Sequence, residues 1–145
     1  MVSVPSFLLR KLYVKSSLKN TDTGFQFQLR NSLGSGYAHK MMPLEIDDEV
    51  LEITNCFFWQ NQKRQCFDQV SESNTFTLAM NSDITIQVDN IELNSDPHKI
   101  TMAFDVPGLG NLRFDLRTSR AGFKNQNKYE NSDYWRIWLR WFMFK

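Results

Sequence analysis

The chain has 145 residues, 41% of them hydrophobic, with 17 Lys and Arg against 16 Asp and Glu. That near-neutral balance fits one globular domain and excludes wholesale disorder or a nucleic-acid binder that works by net charge. No apolar run reaches 18 residues, so no transmembrane helix is expected, and the N-terminus lacks the basic start and small-residue cleavage site of a secretory signal.

In chain order, residues 7–14 (FLLRKLYV) form a first strand candidate, apolar enough for burial on both faces. Turn residues 19–24 follow, and then Phe25, Phe27 and Leu29 alternate with Gln26, Gln28 and Arg30. Leu33-Gly34-Ser35-Gly36 breaks that strand. The acidic cluster Glu45, Asp47, Asp48, Glu49 and Glu52 reads as a solvated turn between strands near 41–46 and 50–54, without calcium-loop spacing. Residues 56–67 (CFFWQNQKRQCF) predict a small hairpin turning near Asn61. Ile84, Ile86 and Val88 alternate with mostly polar residues, as do Ile100, Met102, Phe104 and Val106 (with Thr101, Ala103 and Asp105 between them), and then Leu112, Phe114 and Leu116. Residues 107–111 (PGLGN) predict the hairpin between the last two runs, and Pro97 stands just before them. No stretch before 118 shows helical periodicity beyond one turn. Seven to nine short strands with one apolar face each predict an all-β antiparallel sandwich over residues 1–118, with an up-and-down barrel as the alternative.

From Ser119 the composition changes. Residues 119–133 are polar and read as a linker, and residues 134–145 form an aromatic tail. Six aromatics, Tyr134, Trp135, Trp138, Trp141, Phe142 and Phe144, fall within eleven residues. As a helix this tail is too short to cross a bilayer. As a helix it would align Arg136 with Arg140, and as a strand it would align Trp135, Ile137, Leu139, Trp141 and Met143, so its secondary structure stays open. Such a segment calls for burial. It docks on its own sandwich or a partner, lies at a membrane interface, or is an atypical extension. Trp135, Trp138, Trp141 and Phe142 are the candidate partner interface.

Chemistry-bearing residues are sparse. His39 and His98 lack a Gly-x-Ser-x-Gly elbow or any local nucleophile, and read as surface or hydrogen-bonding histidines. Cys56 and Cys66 have no zinc-knuckle spacing and read as reduced thiols on neighbouring strands of a cytoplasmic protein. The Gly34 and Gly108 regions are turns without the remainder of a phosphate-binding fingerprint. No catalytic, cofactor-binding or metal-ligating residue is assigned to this chain.

Three stretches, SFLLRKLYVKSSLKNTDTGFQFQLRNSLGSG, TFTLAMNSDITIQV and PHKITMAFDVPGLGNLRFDL, carry a resemblance to the small β subunit of C-glycoside deglycosidases. The resemblance implies a non-catalytic β-sandwich that packs on a larger barrel-type α subunit in a hetero-oligomer. It implies a carbon–carbon lyase acting on 3-oxo-glucosides of flavonoids and related phenolics, with a divalent metal, manganese, held by the α subunit. No catalytic residue carries over to this chain. The alternative is a stand-alone carbohydrate-binding sandwich using Trp59 as a stacking platform.

Overall fold

The computed structural model describes residues 4–118, which fold as an antiparallel β-sandwich. The chain enters through a single helical turn, α1 (Ser6–Leu9), continued by a 3-10 turn at Arg10–Leu12. Residues 7–14 are therefore not the strand that their apolar content predicts. Pro5, with φ −61°, stands at the start of the turn, and Leu9 and Leu12, three positions apart, share the buried face while Phe7 points outward.

Among the described residues there are twelve strands: β1 (Lys19–Asn20), β2 (Gly24–Arg30), β3 (Gly36–Ala38), β4 (Lys40–Met41), β5 (Glu45–Ile46), β6 (Glu49–Val50), β7 (Cys56–Gln60), β8 (Lys63–Cys66), β9 (Phe76–Leu78), β10 (Asp83–Asp89), β11 (Lys99–Val106) and β12 (Gly110–Arg117). That exceeds the predicted seven to nine because several strands are two or three residues long, too short for alternation to register. One sheet runs β1-β2-β10-β7-β8, and the second runs β12-β11-β5-β6 with β4 also on β11. A third pairs β3 with β9.

Turn chemistry fixes the registers. Asn61 and Gln62 both take positive φ (56° and 63°) between β7 and β8, and Asp47 and Asp48 (52° and 72°) do the same between β5 and β6. These are two-residue hairpin connections whose twist matches that of their strands. Gly24 is required for another reason. A Cβ there would lie 1.8 Å from the Val88 carbonyl oxygen, because β2 and β10 approach closely at that end.

The inward positions of the strands form one core. Phe25, Phe27, Phe58, Ile86, Ile100 and Met102 are fully buried. A run of rings crosses from sheet to sheet: Phe58 meets Phe76 edge-on at 4.9 Å between centroids, Phe76 meets Phe104 at 6.0 Å, and Phe104 meets Phe114 at 6.1 Å. These are the offset geometries that ring quadrupoles favour. On the opposite face of β11, Thr101 and Ala103 are also buried. Arg113 of β12 reaches Glu45 of β5 at 2.7 Å across them, and small side chains on β11 leave room for that strut. At the outer edge of β12, the Arg10 Nε donates to the Asp115 carbonyl at 3.0 Å. No helix among the described residues is long and apolar enough to cross a membrane.

Candidate functional site

The acidic cluster comes to lie at the β5–β6 turn, beside the start of β11. Asp47 Oδ1 accepts the Lys99 backbone N–H at 2.9 Å, and its Oδ2 lies 2.8 Å from His98 Nδ1. The other ring nitrogen of His98 lies 3.0 Å from Asn94 Oδ1. Lys99 Nζ pairs with Asp48. The Lys99 N–H, and secondarily His98, hold the Asp47 carboxyl below the usual carboxylate range. A His–Asp contact of this kind can orient a catalytic base, but here both ring nitrogens face fixed acceptors of the loop. The pair ties the β5–β6 turn to the Asn94–His98 connection.

Cys56 on β7 is buried, and burial pushes its thiol up to about 11. Its Sγ faces the Glu52 carbonyl, and Cys66 Sγ donates to the Ile53 carbonyl at 3.4 Å. The Cys66 thiol is also raised, chiefly by burial. Both are free thiols on neighbouring strands, protonated at neutral pH and weak as nucleophiles.

His39 lies between β3 and β4, where its N–H donates to the Asp105 carbonyl at 3.0 Å. Its Nδ1 is buried and meets no hydrogen-bond partner among the described residues. Trp59 stands half-exposed on β7 and donates from Nε1 to Gln87 Oε1 at 3.1 Å. Among the described residues, no three His, Cys, Asp or Glu side chains gather as a metal set.

One concavity is apolar, and pattern reading missed it. A groove of about 270 Å³ opens between the N-terminal turn, the 33–37 loop and the β11–β12 hairpin. Leu9, Leu12, Phe104 and Leu112 form its walls, and Leu33 and Tyr37, each 40–50% exposed, stand at its mouth. Asn31 builds the loop side. Its Oδ1 accepts the N–H groups of Leu33 and Gly34 at 3.0 and 3.2 Å, and its Nδ2 donates to the carbonyls of Leu78, at 3.0 Å, and Gly34. Asn31 is buried, so these bonds hold the loop rigidly against β9. Two apolar residues, Leu33 and Tyr37, flanking Gly34-Ser35-Gly36 were the one local signal in the sequence for the groove. The walls come from residues about a hundred positions apart, which no local pattern links.

Trp135, Trp138, Trp141 and Phe142, with the rest of the aromatic tail and the 119–133 linker, lie outside the described residues. Comparison with curated proteins finds no match. A family model, hydroxymethylglutaryl-CoA reductase N-terminal domain, matches residues 8–119. This overturns the resemblance to C-glycoside deglycosidase β subunits, together with the lyase and flavonoid-glycoside chemistry it implied. The sugar-binding alternative gains no support from the match either. The stretches that carried that resemblance are strands and hairpin turns, and alternation of this kind is imposed by any sandwich, so it identifies architecture rather than activity. With its match covering most of the sequence, the chain belongs to the hydroxymethylglutaryl-CoA reductase N-terminal domain family.

Proposed function

We propose that this chain is a non-catalytic β-sandwich that assembles with and supports a larger catalytic partner, a hydroxymethylglutaryl-CoA reductase. The observation that carries the reading is the family match over residues 8–119. The fate of the reactive side chains supports it: His98 is committed to Asp47 and Asn94, and both thiols are held protonated against carbonyls. Any metal or cofactor of the assembly would then be held by the partner. The two free thiols support a reducing, cytoplasmic setting, and the near-zero net charge favours a protein partner over nucleic acid.

The test mixes the full chain with the catalytic part of the reductase from the same source and follows complex formation by sedimentation velocity. A complex at micromolar concentration is expected. The isolated chain, given hydroxymethylglutaryl-CoA and a hydride donor, is expected to show no turnover. Failure to associate would overturn the reading, as would turnover by the isolated chain that His98→Asn abolishes.

A further inference from the structure

We infer that the apolar groove is the docking site for the chain's own aromatic segment, residues 134–144. The first ground is the character of the groove. Its walls are mostly aliphatic and aromatic, the Asn31 side chain beside it has its donors and acceptor already engaged, Ser35 Oγ accepts the Met80 N–H at 3.0 Å, and Leu33 and Tyr37 leave apolar surface at the mouth. It offers no charged group to a phosphate or carboxylate.

Size is the second ground. At about 270 Å³ the groove falls just below the range of roughly 300–1,000 Å³ typical of small-molecule and cofactor sites. A dry cavity of about 150 Å³ accepts a benzene ring. The groove therefore suits one indole with part of a second ring, which is how an aromatic side chain anchors a segment in a pocket.

The third ground is reach. The described chain ends at Thr118, six residues beyond Leu112 on the groove wall, or about 20 Å along an extended strand. Fifteen residues, 119–133, separate Thr118 from the aromatic segment. A coil of that length has a root-mean-square span of about 20 Å and can extend to about 50 Å. A tether whose relaxed span matches the distance between its sites gives the highest effective concentration, so the segment outcompetes a second molecule for the groove. The segment also carries six aromatics, each able to bury about 150–250 Å².

The test uses the full chain. Amide exchange over residues 134–144 is compared between wild type and a groove variant, Leu33→Asp with Tyr37→Ser. Both positions are exposed, so the fold is expected to persist. Exchange at least tenfold slower in the wild-type monomer than in the variant is expected. Equal rates would overturn the inference, and so would protection that rises with concentration alongside a dimeric mass, which would assign the groove to a second copy. A second measurement does not depend on the tolerance of the groove to charge. Leu33→Cys with Trp138→Cys is expected to form an intramolecular disulfide under mild oxidation faster than Val50→Cys with Trp138→Cys, since Val50 is exposed on β6, away from the groove. Equal rates in the two pairs would overturn the inference.

Discussion

Asp47 shows how much one side chain can be asked to do. It sits at positive φ, a conformation that Asp and Asn tolerate better than most residues, and its carboxylate joins the backbone of β11 to His98. Asp47→Asn keeps the shape and the turn conformation but removes the charge. We expect it to lower stability at pH 7 by about 0.5–1 kcal/mol, a modest value because the carboxylate is half-exposed. The pH dependence has a defined sign. The folded carboxyl lies below its ordinary value of 3.8, so its contribution is fully present above that value and disappears as pH falls through the folded value. Urea unfolding midpoints of the two proteins should still differ at about pH 5 and draw together as pH falls below about 4. The acidic residues were legible in the sequence as a turn. Their junction with His98 was not, because 51 positions separate the partners and only the pairing of β5 with β11 brings them together.

Among the elements, the hairpins were the most legible and the N-terminal turn the least. Alternation announced β2, β10, β11 and β12, and each kept its apolar positions inward. The first apolar run misled because eight residues are enough for a strand and too few to display a helical period, so Pro5 decided its form. The β7–β8 connection still carries a local cost. Gln62 adopts φ 63°, a region that costs a non-glycine residue about 1 kcal/mol or more. Gln62→Gly should relieve it and raise stability by about 0.5–1 kcal/mol, read as a higher midpoint of thermal unfolding. A lower midpoint would show that the side chain of Gln62 contributes more than its backbone strain removes.

For the molecule as a whole, the run of rings from Phe58 through Phe76 and Phe104 to Phe114 makes the two sheets one unit. Phe104→Ala removes the middle of that run at a site 4% exposed and should cost about 3–5 kcal/mol. Denaturant unfolding followed by far-UV circular dichroism and by near-UV absorbance should remain a single coincident transition at a lower midpoint. Two separated transitions would mean that each sheet persists without the other once the run of rings is cut.

The outer rim of β12 has a consequence for behaviour at high concentration. Arg10 already occupies the Asp115 carbonyl there, and the side chains of Arg113, Asp115 and Arg117 alternate in sign along the same strand. A second β12 arriving antiparallel about Asp115 would set Arg113 against Arg117 and carboxylate against carboxylate, and it would have to evict Arg10. The longest lateral strand of the sandwich is thus guarded against ribbon growth in that register, and in any register the incoming strand must displace Arg10, so crowded solutions of the protein should resist fibre formation where its backbone would otherwise invite it.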